Sequence, residues 1–390
     1  MLTKKSTALL MAVDLPSKSN STSERSLLFL KQDRVPARFG EVPSLNGLRA
    51  LSILVVMLSH FVSARIFPGG FGVLVFFVVS GFLITRLMFA EYGASGSVSM
   101  LQFYARRVLR LYPVILVYTG VVLALFLLMG RNFNFIEPLS ALFYFANYLY
   151  SNYSMSDHYN GSMPFEIFWS LSVEEHFYIV FPALFLILRG DPRRLVFAML
   201  VVCVVCLGLR ILQAHLHPAR LDSYYFYFRT QFRIDSLAFG VLIAAACQTD
   251  QGRRIINLAT LPFSIVLALF AILVCFAVRD PWFRETLRYS IQSFSIAVVI
   301  VAIVFSKRYL LLNRLLNLPP VVWVGMLSYS LYVWHLLAPM LLERAMPYLG
   351  YAGESAAAKF LLSFVLAAIS YYGLERPFVR LRHRFGSRAN

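Results

Sequence analysis

Acidic residues are scarce in this 390-residue chain, 19 Asp and Glu against 36 Lys and Arg, and charged residues of all kinds make up only 14% of it. Hydrophobic residues make up 59%. So few charges cannot cover so much apolar surface in water, which excludes a soluble α/β enzyme and points to an all-α, polytopic transmembrane helix bundle. The alternating apolar and polar segments of a membrane barrel are also missing. Cysteine is sparse, at four residues. Cys203 and Cys206 form C-x-x-C inside an apolar run with no thiol, histidine or acid close by, so they read as small core residues, with no disulfide framework or zinc site. His215 and His217 lack a third ligand nearby, and no metal is expected. No periodic repeat, low-complexity tract or appended soluble domain is evident.

The net charge of +17 invites a polyanionic partner, but its placement argues against nucleic acid. Basic residues gather in short clusters between the hydrophobic runs: Arg106, Arg107 and Arg110; Arg189, Arg193 and Arg194; Arg253 and Arg254; Lys307, Arg308 and Arg314; Arg380, Arg382, Arg384 and Arg388. That is the positive-inside pattern of a protein whose partner is membrane lipid.

Residues 1–40 contain no long apolar stretch and read as a mobile cytoplasmic tail. Runs of spanning length then follow at about 45–66, 69–89, 111–130, 165–188, 195–214, 233–248, 260–278, 289–306, 320–342 and 357–374. The run at 139–150 is too short to cross. Treated as a re-entrant segment, it leaves the basic clusters on one side, with both termini cytoplasmic. The expectation is therefore ten spans plus one short re-entrant segment in a transmembrane domain, residues 41–380, followed by a basic cytoplasmic tail, 381–390, in a multi-pass protein of the inner (plasma) membrane.

The first apolar run carries Arg49 and His60. Eleven residues of helix are about 16 Å and about three turns, so both lie on nearly one face, Arg49 near the cytoplasmic surface and His60 deeper. A charge inside a bilayer is costly unless it faces a cavity or a partner. Neutral imidazole is less so, and it is the form that accepts a proton.

At this point the sequence resembles a known family. "NGLRALSILVVMLSH" (46–60) is similar to the arginine, ten residues, histidine signature of the membrane-bound acyltransferase-3 family of sugar O-acyltransferases. The resemblance continues through "GVLVFFVVSGFLITR" (72–86), "FYARRVLRLYP" (103–113), "FWSLSVEEHFYIVFP" (168–182), "FRIDSLAFG" (232–240), "LSYSLYVWH" (327–335) and "LERPF" (374–378). These follow family order over nearly all of the hydrophobic region. Many members have Asp where this chain has Leu74, so no role is assigned there. The resemblance implies transfer of an acyl group, usually acetyl, from cytoplasmic acyl-CoA (acetyl-CoA) to a hydroxyl of a glycan or glycolipid acceptor on the far side. It implies His60 as the catalytic histidine, Arg49 as the first-helix arginine, and Arg106, Arg107 and Arg110 as the basic cluster.

Acyl transfer to an alcohol needs a base for the hydroxyl proton, and His60 is the best-placed one, whether it activates the sugar or is itself acylated. Phosphates of coenzyme A would dock on arginines, so Arg49, Arg106, Arg107 and Arg110 are assigned to the donor, the alternative for the last three being plain positive-inside anchoring. Glu174 and Glu175 open a span after the loop 151–164, on the outer side. One of them could orient His60 as the acid of a triad does, or be a membrane-edge acid paired with Arg or His176. Trp169, Arg233, Asp235 and His335 are candidates for substrate binding. Arg233 with Asp235 equally suits an intramembrane ion pair, Trp169 an interfacial aromatic belt, and His335 a helix-packing hydrogen bond. The rival reading is a proton-coupled or solute transporter using the same buried Arg, His, Asp and Glu path. Oligomeric state is not legible.

Overall fold

A backbone crossing hydrocarbon has no water to satisfy its N–H and C=O groups, so apolar runs must close their hydrogen bonds internally, as helices. The computed structural model of the chain describes residues 44–156, 163–349 and 355–381, and all regular structure among them is helical. In chain order the helices are α1 (Leu45–Phe61), α2 (Gly69–Ser95), α3 (Met100–Leu128), α4 (Ile136–Leu142), α5 (Ala146–Tyr153), α6 (Phe168–Ile187), α7 (Pro192–Leu216), α8 (Tyr225–Phe228) and α9 (Ile234–Ala246). There follow α10 (Asp250–Ala259), α11 (Pro262–Ala277), α12 (Pro281–Glu285), α13 (Leu287–Phe305), α14 (Leu310–Leu316), α15 (Pro319–Trp334), α16 (Leu337–Leu349), α17 (Ala356–Ser370) and α18 (Arg376–Leu381). A π-turn over Tyr371–Glu375 joins α17 to α18.

Local chemistry sets many of the boundaries. Proline opens α7, α11, α12 and α15, where its missing N–H is one of those that a first turn leaves unpaired anyway. Ser99, Thr249 and Ser355 cap α3, α10 and α17 by accepting a backbone N–H. Asp191 caps α7, and the N–H groups of Arg194 and Arg193 hold its carboxyl below the ordinary carboxylate range.

Among the described residues six helical segments are long and apolar enough to cross a membrane: α2, α3, α6, α7, α13, and α17 continued into α18. The count rises to eight if α10 with α11, bent by 71°, and Lys307–Leu316 with α15, bent by 70°, each form one span. By length and composition the ten expected crossings are therefore not confirmed. Two of the expected runs are the short helices α1 and α9, of 17 and 13 residues. The run at 320–342 stops at Trp334, and α16 begins afresh at Leu337. The stretch 139–150 is not one helix but parts of α4 and α5, broken where Tyr144 takes φ 56°. Large apolar side chains stand outward on these helices, among them Phe197, Val204, Phe263 and Leu361, as they do where lipid is the solvent. This is a multi-pass membrane protein. The expected tails, 1–40 and 381–390, fall almost wholly outside the described residues.

The inner layer is α1, α2, α9 and α15, with α2 between α1 and α9, and α15 along α1. Small residues allow the approach of α2 to α9. A Cβ on Gly240 would lie 2.1 Å from the Val78 carbonyl oxygen, and one on Gly81 would lie 2.1 Å from that of Leu237. The helices α6, α7, α13 and α17 pack against this layer.

Candidate active site

His60 ends α1, and His335, the residue after Trp334, ends α15. Because α1 and α15 run side by side, these two histidines, 275 positions apart in sequence, meet: His60 Nδ1 is 2.8 Å from His335 Nε2. Their ring centroids are 5.0 Å apart with 19° between the planes, so the rings are nearly coplanar and join edge to edge through that bond. His335 is fully buried, and its Nδ1 lies 2.7 Å from the carbonyl oxygen of Tyr332.

One carbonyl then fixes every proton in the chain. A carbonyl only accepts, so His335 Nδ1 carries the hydrogen and its Nε2 offers a lone pair. His60 must therefore donate from Nδ1, which leaves its Nε2 unprotonated. His60 itself is exposed, so this lone pair sits on the accessible member. Apolar residues wall the pair: the Phe61 ring is 6.1 Å from His335 and 5.2 Å, edge on, from Phe360. Tyr332 is held in turn. Its hydroxyl donates to the Ile167 carbonyl at 3.0 Å and receives the Ser170 hydroxyl at 2.7 Å.

Toward the other end of α1 lies a second polar group. Arg49 faces Arg110, Glu375 and Glu174. Among the described residues, neither Arg49 nor Arg110 makes a hydrogen bond or an ion pair. Two guanidiniums set in one neighbourhood and held by no hydrogen bond leave ten N–H donors between them, an arrangement suited to the oxygens of a polyanion. Glu375, in the π-turn, accepts from Ser330 at 3.0 Å. Widening the helix by one residue there is what turns this carboxylate inward.

The basic cluster is not one unit. Arg106 pairs with Glu91 at 3.0 Å, and the other carboxylate oxygen of Glu91 receives the Ser99 backbone N–H at 2.9 Å, tying the end of α2 to the start of α3. Arg107 points elsewhere, donating to Glu175 from both Nε (3.2 Å) and Nη2 (3.0 Å) while lying 3.3 Å over the Tyr178 ring. Of the three arginines, Arg110 alone is left with Arg49.

That geometry corrects the expectation for Glu174 and Glu175. The residue hydrogen-bonded to His60 is His335, and Glu175 is bonded to Arg107. Glu174 faces Arg107, Arg110 and Arg49, at the arginine end and not beside the histidines. The reason is depth. On α6 the level of the histidines is reached at Ser170, through Tyr332, and both glutamates lie more than a turn farther along. The alternative, an acid paired with arginine, is what Glu175 does.

Arg233 and Asp235 do not pair with each other. Asp235 Oδ2 takes Arg210 Nη2 at 2.8 Å and the Ser290 hydroxyl at 2.8 Å, and both members of the Arg210–Asp235 pair are fully buried. Arg233 is also fully buried, among the rings of Tyr289, Tyr227 and Trp169. Trp169 is itself buried and edge on to Phe77, so it is no interfacial belt residue. Tyr150 is buried and donates to Glu137 at 2.9 Å.

Sequence reasoning passed over Arg210, Glu91, Glu137 and Glu375. Arg210, Glu91 and Glu137 are each a lone charge inside or at the edge of an apolar run, and that isolation is the signal that marks them, whereas Glu375 stands beside Arg376. Cys206, read as a core residue, is buried with its sulfur 3.6 Å from Arg210. Among the described residues no group of three His, Cys, Asp or Glu side chains is placed to hold a metal ion.

The O-acetyltransferase OatA of Staphylococcus aureus, in strains NCTC 8325, COL and MRSA252, is 30% identical to the chain over 358 residues. The match covers 86% of this chain and 57% of each relative, so the chain spans little more than half the length of the curated relatives it matches. No solved structure matches significantly. The acyltransferase-3 family model, described as an acyltransferase domain, matches residues 42–374, which takes in both histidines and the arginine group. The chain belongs to the acyltransferase-3 family.

Proposed function

We propose that the protein is an O-acyltransferase of the inner (plasma) membrane. It moves an acyl group, acetyl by preference, from acyl-CoA to a hydroxyl of a surface or exported glycan. Its relatives are named as O-acetyltransferases, and the family gives the transporter reading no support. The observation that carries the proposal is the chain from the Tyr332 carbonyl through His335 to His60, which leaves an unprotonated Nε2 on an accessible histidine.

The chemistry follows from that lone pair. His60 Nε2 takes the proton of the acceptor hydroxyl as its oxygen attacks the thioester carbonyl. The resulting imidazolium shares its charge with His335 through the Nδ1–H···Nε2 bond, the role an acid plays in a triad. The ester C–O bond forms, the C–S bond breaks, and the leaving thiolate takes the proton back from His60. Arg49 and Arg110 suit the phosphates of the donor, because they are the guanidiniums in this group left without partners. From Arg49 to His60 is about 16 Å along α1, a distance that the thin pantetheine arm can bridge.

The test is acylation of a glycan by the purified protein in proteoliposomes supplied with radiolabelled acetyl-CoA. Label is expected in the glycan and absent with His60→Ala. A correctly inserted His60→Ala protein with wild-type transfer refutes the proposal.

A further inference from the structure

Arg233 is fully buried, and none of its three guanidinium nitrogens has a hydrogen-bond partner. Its carbon lies 4.0 Å from the centre of the Tyr289 ring, 5.1 Å from Tyr227 and 5.8 Å from Trp169. Ring faces attract a cation but give its five N–H donors nothing to bond to. The acids in reach are committed. Asp235 Oδ2 belongs to Arg210 and Ser290, and Glu285 takes the Tyr289 hydroxyl at 2.7 Å. Asp235 Oδ1 is itself without a partner, so it and Arg233 stand two residues apart without meeting. A buried charge in this state costs the fold stability and is kept only where something else completes it.

The place is next to the histidines. Tyr227 packs against Gly70, and Gly69 against Ser59, the neighbour of His60. On the other side Trp169 precedes Ser170, which bonds Tyr332, whose ring is 5.8 Å from His335. Over Arg233 lies α8, a helix of four residues between two 3-10 turns, with Tyr224 at its edge 60% exposed. So short a helix draws little stability from its own hydrogen bonds, which makes it the element best able to move aside for a ligand.

We propose that Arg233 anchors a subsite for an oxyanion carried by the acceptor glycan, a proposal that rests on the acyl-transfer reading above. The planar guanidinium fork matches a carboxylate or a phosphate in two parallel hydrogen bonds. The rings of Tyr289, Tyr227 and Trp169 wall the guanidinium and give the sugar an aromatic border, and Asp235 Oδ1 is an acceptor for one of its hydroxyls. The oxyanion is either a carboxylate on the sugar or a phosphate that links it to a carrier.

The test measures binding without any acyl donor, so it is independent of the chemistry at His60. Purified full-length protein in detergent is titrated with glucuronic acid, glucose 1-phosphate and glucose while its thermal midpoint is followed. At least one of the two anionic probes is expected to raise the midpoint, and glucose is not. A response to glucuronic acid assigns a sugar carboxylate, and one to glucose 1-phosphate assigns a phosphate. Arg233→Met should abolish the response with an unchanged or raised midpoint for the free protein, since it removes a charge that the fold leaves unpaired. Should that variant not fold, Arg233→Lys keeps the charge without the fork and should bind the same probe about tenfold more weakly or worse. The proposal falls if neither anion shifts the wild type, if glucose shifts it equally, or if the folded Arg233 variants respond undiminished. A wild type that responds to an anion yet transfers no acyl group would remove the proposed function and leave an anion site.

Discussion

The hydrogen bond between His60 Nδ1 and His335 Nε2, at 2.8 Å, joins the ends of two helices that lie far apart in sequence. It makes the basicity of an exposed ring depend on a buried one. We read His335 as a positioning residue, which holds His60 and fixes its tautomer.

His335→Ala should therefore lower kcat for acyl transfer by about 100-fold or more while leaving the KM for acetyl-CoA within about twofold, in the range general-base contributions span. His335→Gln should recover part of the loss, because its side-chain oxygen can accept the His60 Nδ1–H. A role in packing alone would show as equal losses in the two variants.

The arginines divide into two kinds. Arg49→Gln with Arg110→Gln should raise the KM for acetyl-CoA about tenfold or more, with little effect on the acceptor KM, since each removes a charged donor to phosphate. Arg106→Gln breaks the bond to Glu91, so it should lower the thermal midpoint and spare the donor KM. Steady-state kinetics on variants with verified topology separate the two. A donor KM that responds to Arg106→Gln and not to Arg49→Gln would reverse the assignment.

What was legible in the sequence follows from local constraints. An apolar run must be helical in lipid, and an arginine and a histidine eleven residues apart on a helix share a stripe whatever surrounds them. Partnership is not local. Nothing in "SYSLYVWH" says that His335 meets His60, because the meeting depends on α1 and α15 running side by side. In the same way Arg233, two residues from Asp235, looked like its partner, whereas Arg210 on α7 holds it. The six to eight candidate spans fall short of ten for another reason: hydropathy does not register the bends at Pro262 and Pro319 or the shortness of α1 and α9.

The Arg210–Asp235 pair yields a stability prediction. Arg210→Met leaves the Asp235 carboxylate buried and uncompensated and should destabilise the protein by about 3 kcal/mol, whereas Arg210→Met with Asp235→Leu should recover most of that loss. Thermal midpoints in detergent for the two single variants and the double variant measure the coupling. Additive losses would mean that the two groups do not depend on each other.

Close helix contact gives another. Gly240→Val puts two methyl groups where even a Cβ would collide with the Val78 carbonyl, so α9 must move off α2. Loss of monodisperse protein on size-exclusion chromatography is expected, while Gly208→Val, at a position on α7 with open space around it, should behave as wild type. The contrast tests the packing and not valine's helix propensity, which is the same at both sites.

Sidedness is the last consequence. If Arg49 and Arg110 hold the donor phosphates, acyl-CoA enters from the side on which the basic clusters lie, and positive-inside placement makes that side the cytoplasm. His60 is then about 16 Å deeper along α1, open toward the other face. In inside-out vesicles, acetyl-CoA supplied outside should be consumed only when an impermeant acceptor is enclosed in the lumen, with the label recovered on the enclosed acceptor. An acceptor confined to the cytoplasmic face should stay unlabelled, because His60 and Arg49 occupy different depths of one helix. Equal labelling from the cytoplasmic face would place donor and acceptor on one side and refute transfer across the membrane, while leaving the His60–His335 chemistry as it stands.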